Sequence, residues 1–434
     1  LVTYGERFGL AIPADPNALR GGGARFLTQA FRASGVLADG NAVAAVTDFR
    51  EVAGGSTGRK VVLSVEYARP QPDLHTDLFV KFSRDLDNPV RDRGRTQMEP
   101  EVRFAALSRT PGFPIAVPAV QFGDYDRDTG TGILITERIP FGRGGIERQY
   151  HKCLDYDMPD AVGHYRALLT ALGGLGGTYG SGRLPAQLAA HFPLDVRAAT
   201  VGDRAPVGAD KLDRRVTQLA GFVEANPGLV PAHVGSPEFL ARLRDEVPRV
   251  ARHEHAIMGQ LAGDSDYVAL CHWNANVDNA WFWRDGVLRC GLLDWGCVGQ
   301  MNMGMAIWGA MSGAETDLWN EHFDELLELF VSEVERVGGP RLDPDRLRRH
   351  TLLYAAAMGV GWLLDVPALI RARFGDTAPG SRMDPRIRDD ESVRAPLQML
   401  ANVLNLWERH RVGELLEKAL AEREAEGEGG LRVG

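Results

Sequence analysis

Val268 to Gly296 reads VALCHWNANVDNAWFWRDGVLRCGLLDWG, and the rest of the chain is organised around it. Three apolar runs within it, Val268–Cys271, Trp281–Trp283 and Val287–Leu293, have the length and composition of short strands. Arg284-Asp285-Gly286 joins the second run to the third, and Asp-Gly between apolar runs marks a hairpin. The polar residues fall at the strand ends. His272, Asn274, Asp278 and Asn279 follow the first strand, and Asp294 follows the last.

Kinase chemistry uses this spacing. A loop of the form His-x-Asp-x-x-x-x-Asn supplies a base and a metal ligand, and a later Asp-Phe-Gly supplies the main metal carboxylate. Here the loop runs from His272 to Asn279 and the later element is Asp294-Trp295-Gly296. The offsets fit, with Asn274 at the position of the catalytic Asp.

A length of 434 residues suggests two or three domains, and 44% hydrophobic residues allow large cores. A net charge of -9, with both signs mixed along the chain, argues against a general nucleic-acid binder. Cys153, Cys271, Cys290 and Cys297 form no C-x-x-C pair, which argues against a disulfide framework or zinc site and fits a reducing cytoplasm. The N-terminal residues lack the basic-then-apolar layout of a signal peptide. The most apolar stretches, Met301–Ala314 and Tyr354–Ile370, are too short or are broken by Asp365, so no membrane span is expected.

Residues 1–21 read as irregular, and Ala24–Ser34 as an amphipathic helix ended by Gly35. Strands are expected over Val43–Val52 and Lys60–Ala68, around the turn Ala53-Gly54-Gly55-Ser56-Thr57-Gly58-Arg59. Such a turn can lay backbone N–H groups over phosphates, although most are plain hairpins. Further strands follow at Asp77–Ser83, Val120–Asp124 and Gly132–Glu137, with a helix at Glu99–Ser108 carrying Glu101. Lys81 alternates toward one face of its strand. From about Met158 the pattern turns helical: Asp160–Leu175, Arg214–Glu224, Pro237–Leu261, Met301–Ser312, Thr316–Val337, Asp343–Leu364, Val393–Arg409 and Val412–Glu426. The expected fold is α+β: a bilobal protein kinase-like fold with an antiparallel β-sheet N-lobe and a mostly helical C-lobe. Its divisions are an N-terminal extension with a helix over 1–39, the N-lobe over 40–138, the C-lobe over 139–426 and a disordered tail over 427–434.

These residues resemble the aminoglycoside phosphotransferase / choline kinase-like superfamily, and within it the bacterial ecdysteroid kinase-like phosphotransferases. The likeness runs from about Phe26 to Gly309. It includes FLTQAFRASGVL, VAGGSTGRKVVLSVEY, FVKFS, EPEVRFAAL, ILITERI, CHWNANVDN and LLDWG. The resemblance implies ATP and Mg2+ as cofactors and a small-molecule acceptor. By it, Lys81 holds the nucleotide phosphates, aided by the turn at Gly54, Gly55, Ser56 and Thr57, and Glu101 orients Lys81. Backbone groups from Glu137 to Ile139 hold the adenine, and Asn279 and Asp294 bind magnesium, a hard ion that suits oxygen ligands. Asn274, His272 and Asp278 stand at the chemical step. The chain departs from the pattern in two places. His272-Trp273-Asn274 replaces His-Gly-Asp, and Leu172-Gly173-Gly174 replaces a Leu-His-Ala.

A neutral amide cannot usefully take the proton of an attacking hydroxyl. Base assistance is worth about 10²–10⁴ in rate, whereas positioning and electrostatics supply most of phosphoryl transfer. Three readings follow. Asn274 orients the nucleophile and the enzyme is slow, or borrows another base such as Asp278 or a substrate group; or the acceptor is already anionic; or the chain is a nucleotide-binding pseudokinase with a regulatory or scaffolding role. Transfer of adenylyl rather than phosphoryl is a weaker fourth.

Blander assignments compete at several positions. His272 reads as a structural loop histidine and Asp278 as a brace for the loop backbone. Met301, Met303, Met305, Trp308 and Met311 at helical spacing read as core before acceptor pocket. Gly177 to Leu184 mimics a P-loop frame but has Arg183 and Leu184 where Lys and Ser or Thr belong. His253-Glu254-His255 lacks the i, i+4 spacing of a helical metal site, and Asp73, His75 and Asp77 lie in a loop.

Overall fold

The computed structural model describes residues 3–430, apart from Ser56, Ala186, 197–206 and Asp376, and without the side chains of Ala189 and 423–430. The chain divides into two units: Leu1–Arg148 with Gly291–Val298, and Gln149–Cys290 with Gly299–Gly434.

The first unit opens with two short strands, β1 (Thr3–Tyr4) and β2 (Ala11–Ile12), paired antiparallel. Helix α1 (Pro16–Ala33) follows, so the expectation of irregular chain up to residue 21 is corrected. Asp15 caps this helix by accepting from the Ala18 N–H, and Pro16 sits in its first turn, where no amide proton is needed. Non-helical backbone at Gly23 kinks it. Strands β3 (Val43–Val52), β4 (Lys60–Tyr67) and β5 (Asp77–Phe82) come next. They are followed by the short helix α2 (Pro89–Asp92), then α3 (Met98–Leu107), then β6 (Val120–Asp126) and β7 (Thr131–Glu137). The last five strands form one antiparallel sheet in the order β3-β4-β5-β7-β6.

Strand alternation gives that sheet two faces. Leu78, Val80 and Phe82 of β5, Val61, Leu63 and Val65 of β4, and Ile133 and Ile135 of β7 bury against Leu19, Phe26, Leu27 and Phe31 of α1. The residues of 1–39 are therefore part of the sheet's core. Leu134 and Tyr125 point the other way and pack on Met98, Val102 and Ala105 of α3. Lys81, one residue from Val80 and Phe82, is thereby sent to the α3 face.

The second unit is mostly helical: α4 (Ala161–Gly180), α5 (Leu188–His191), α6 (Ala209–Ala225) and α7 (Pro237–Gly263) precede the central strands. These are β8 (Val268–His272), β9 (Ala280–Asp285), β10 (Val287–Leu292), whose last residues belong to the first unit, and β11 (Val298–Asn302). β9 pairs with β10, and β8 with β11. The helices α8 (Met303–Met311), α9 (Thr316–Arg336), α10 (Pro344–Gly361), α11 (Val366–Phe374), α12 (Pro385–Arg388), α13 (Glu391–Arg409) and α14 (Val412–Gly430) complete it. Met301 and Asn302, expected in a helix, end β11 instead. The expected tail 427–434 falls on the last turn of α14 and on residues outside those described. Met301, Met303, Met305, Trp308 and Met311 are all buried in this unit's core. No single helix among the described residues is long and apolar enough to cross a membrane. An antiparallel-sheet unit carrying α3, followed by a mostly helical unit, is the bilobal protein kinase-like α+β fold.

Candidate functional site

The first unit joins three of the sequence-selected residues. Lys81 on β5 donates from Nζ to Glu101 Oε2 at 2.7 Å and to Asp294 Oδ1 at 2.5 Å. Glu101 comes from the first turn of α3, which packs on the face that Lys81 shares. Asp294 reaches the same point because the chain leaves β10 in a left-handed turn, with Asp294 at φ 57°. A non-glycine residue held there is backbone strain of the kind that clusters at functional sites. Ala116 and Gly291 form a parallel bridge that anchors the approach, and the Leu292 N–H donates to Ala116 O at 3.0 Å.

Burial decides how each group behaves. The side chains of Lys81 and Glu101 are 7% and 5% exposed, that of Asp294 39%. Burial alone would lower the Lys81 ammonium, but the charges of Asp294 and Glu101 outweigh it and hold it above the ordinary lysine range. Burial raises the Glu101 carboxyl, with Lys81 opposing and Asp294 reinforcing. The sealed pair fixes an ammonium in place, while the Asp294 carboxylate is the more exposed of its two partners.

The glycine turn lies at the end of the same strands. Gly58 has φ +52°, and a Cβ there would fall 1.7 Å from Phe82 O, so only glycine fits. The turn's carbonyls are engaged by cations: Lys60 Nζ donates to Gly54 O at 2.9 Å and Thr57 O at 3.3 Å, and Arg91 donates to Gly58 O. The N–H groups of Gly54, Gly55, Thr57 and Gly58 have no protein acceptor among the described residues. Backbone amides in that state are free to meet an anion. Ser56 lies outside the described residues.

At the end of β7 the Glu137 carboxylate accepts from the Ala119 N–H at 2.8 Å and lies 3.4 Å from His75 Nδ1. The Ile139 carbonyl accepts from the Phe141 N–H, and its own N–H has no partner among the described residues. A free backbone donor here suits the edge of a planar base.

In the second unit the loop after β8 is tied to itself. His272 is fully buried, and its Nδ1 accepts from the Asn274 N–H at 3.1 Å, which puts the ring proton on Nε2. Asn274 Oδ1 accepts from Asn276 Nδ2 at 2.9 Å, and the Asn274 carbonyl accepts from Asn279 Nδ2 at 2.9 Å. The Asn274 side chain therefore has its NH2 left to offer, where an Asp would offer lone pairs. Asn279 has its Oδ1 left. Asp278 lies 3.5 Å from Lys152 Nζ. Burial raises its carboxyl, with Lys152 opposing. Trp273 is held by its Nε1 donating to Tyr354 Oη at 2.7 Å. Its backbone packs on α8, where a Cβ on Gly309 would fall 1.6 Å from Trp273 O.

Among the described residues no group of three or more His, Cys, Asp or Glu converges as a metal site. The side-chain oxygens of Asp294 and of Asn279 are each hard donors of the kind magnesium takes. Asp77 accepts from Ser64 and His75 lies beside Glu137, so the Asp73, His75, Asp77 alternation is dispersed. Gly177 to Gly180 lies inside α4, which removes the P-loop mimic. Lys60 and Arg91 are functional candidates absent from the sequence reading. Lys60, two residues past Gly58, was the available signal; Arg91 had none, because only the tertiary structure brings α2 to the turn.

No protein-family model matches the chain, and no curated protein is significantly similar to it. Solved structures are similar at low identity. A spectinomycin phosphotransferase in complex with ADP and spectinomycin is 10% identical, with 86% of this chain and 94% of that chain covered and a TM-score of 0.43. A choline kinase from Cryptosporidium parvum is 11% identical, with 85% and 91% covered and a TM-score of 0.42. A macrolide 2'-phosphotransferase from Brachybacterium faecium is 14% identical, with 82% and 93% covered and a TM-score of 0.39. These are likenesses of overall course, and the functional reading is carried by this chain's own residues.

Proposed function

We propose that the chain is an ATP- and magnesium-dependent phosphotransferase acting on a small molecule, most simply at a hydroxyl. The observation that carries this is Lys81 forked between Glu101 and Asp294, in the unit that also holds the open-amide glycine turn. Lys81 and the turn amides would bind the phosphates, and the backbone from Glu137 to Ile139 the adenine. Asp294 and Asn279 would hold the magnesium, which supplies charge neutralisation for the transferring phosphoryl group. Asn274 would orient the acceptor by donating a hydrogen bond. His272 holds the loop in shape, and Asp278 braces it through Lys152.

One observation supports a second reading, a nucleotide-binding pseudokinase. The side-chain oxygen of Asn274 already accepts from Asn276, and a neutral amide is no useful proton acceptor.

Calorimetry of ATP with and without magnesium, on this chain and on Asp294→Ala, tests the binding site. Product analysis in the same samples separates the readings. Magnesium-dependent binding that Asp294→Ala abolishes is expected. Absence of ATP binding overturns both readings, and binding without turnover leaves the pseudokinase.

A further inference from the structure

Lys60 stands directly opposite Lys81 in the β4–β5 ladder. Residues directly opposite in an antiparallel pair share a face, and like charges in that relation repel. Val61, Leu63 and Val65 of the same strand enter the core against α1, which confirms that Lys60 points to the Lys81 side. The two lysines differ in their partners. Lys81 is neutralised by Glu101 and Asp294. Lys60 has no carboxylate within ion-pair distance among the described residues, and its ammonium donates only to the Gly54 and Thr57 carbonyls.

Other charges do not fill that deficit. The groups that face Lys60 are Lys81 on β5, Asp294 after β10, Arg91 on α2 and Glu101 on α3. Arg91 is itself paired with Asp85 and holds the third carbonyl of the turn, at Gly58. Burial, with Lys81 next, pushes the Lys60 ammonium down to about 8, while Asp294 and Glu101 oppose. A half-buried cation beside a second lysine, tied only to carbonyls, next to amides that point at no acceptor, lacks one negative charge.

We propose that Lys60 is a second phosphate-binding cation of this site, exchanging its two carbonyl contacts for the oxyanions of a nucleoside di- or triphosphate. This rests on the nucleotide-binding reading and adds to it a residue and a proton. The oxyanion favours the charged form of Lys60, so binding near pH 8 draws a proton from solvent. It also releases the Gly54 and Thr57 carbonyls, which couples the shape of the turn to the ligand's phosphates.

The test is calorimetry with magnesium-ATP and with adenosine at pH 8, in two buffers of different ionisation enthalpy. The unmodified chain should take up roughly half a proton with ATP and none with adenosine. Lys60→Arg, always charged, should keep ATP affinity and lose the uptake. Lys60→Met should lose about tenfold or more in ATP affinity with adenosine affinity unchanged. ATP binding without proton uptake, or an unchanged ATP-to-adenosine ratio in Lys60→Met, overturns the proposal. Should Lys60→Met fail to fold, the uptake by the unmodified chain and its loss in Lys60→Arg still decide. If ATP binds and depends on Lys81 and Asp294 but not on Lys60, only this proposal fails. If the unmodified chain binds no ATP, the nucleotide reading fails with it.

Discussion

The indole of Trp295 lies on the ring of Phe104, with centroids 3.7 Å apart and planes 17° from parallel. Phe104 is one helical turn beyond Glu101 on α3, and Trp295 directly follows Asp294. Trp295 Nε1 also donates to Leu292 O at 2.9 Å, so its polar end is satisfied within the same turn. The stack thus ties together the two segments whose carboxylates meet at Lys81. Trp295→Ala should cost about 3–5 kcal/mol in unfolding free energy, as deletion of a buried aromatic does. It should also weaken ATP binding, whereas Trp295→Phe should recover most of both. Denaturant unfolding and calorimetry on the three chains check this, and a Trp295→Ala chain of unchanged stability would sink it.

Lys81→Met should leave the buried Glu101 carboxylate with no ammonium beside it. Losing one member of a buried pair costs about 3–5 kcal/mol. Glu101 is raised by burial even with Lys81 present. A carboxyl whose folded pKa exceeds its unfolded one is stabilising below the unfolded value, and that contribution is lost as pH rises through the folded value. The variant should therefore be damaged more at pH 8 than at pH 5. Adding Glu101→Gln should remove this extra pH dependence. Thermal unfolding of the single and double variants across that range is the measurement.

Asn274→Asp should place a proton acceptor where the loop now offers an amide. With a hydroxyl acceptor, turnover should rise by about 10²–10⁴, the usual worth of a positioned base. ATP affinity should hardly change, because Asn274 belongs to the acceptor side of the proposed chemistry. Single-turnover assays with a panel of small alcohols measure this. A fall in rate would show that the neutral donor is needed, as for an acceptor that is already anionic.

Asp155, buried in the second unit, has its carboxyl pushed up to about 7 by burial, with the Glu315 N–H donating to it at 3.0 Å and opposing. By the same sign rule, its contribution is present below about pH 4 and is lost as pH rises through 7. Ionising it in place costs on the order of 4 kcal/mol by pH 8. Asp155→Asn keeps an acceptor for the Glu315 N–H and removes that cost. It should unfold at higher temperature than the unmodified chain at pH 8 and at nearly the same temperature at pH 4. Equal melting temperatures at both pH values would refute the assignment.

The sequence by itself determined the sheet of the first unit. Alternation in DLFVKFS sends Leu78, Val80 and Phe82 to one side and Lys81 to the other, and this local periodicity survives into the structure. The order Lys81, Glu101, Asn279, Asp294 was legible by its resemblance to the order of kinase motifs. The start of α1 at Pro16 carried a local signal too, Asp15 followed by Pro, but the glycines at 21–23 masked it. Tertiary structure alone decided the rest. Register sets Lys60 opposite Lys81, and register is a property of two strands, not of one. The hydrogen bond from Asn276 fixes which end of the Asn274 amide is free, and the stack on Phe104 fixes where Trp295 goes. Periodicity along the chain assigns a side chain to a face. Which partner it meets there depends on segments distant in sequence, whose approach is set by packing.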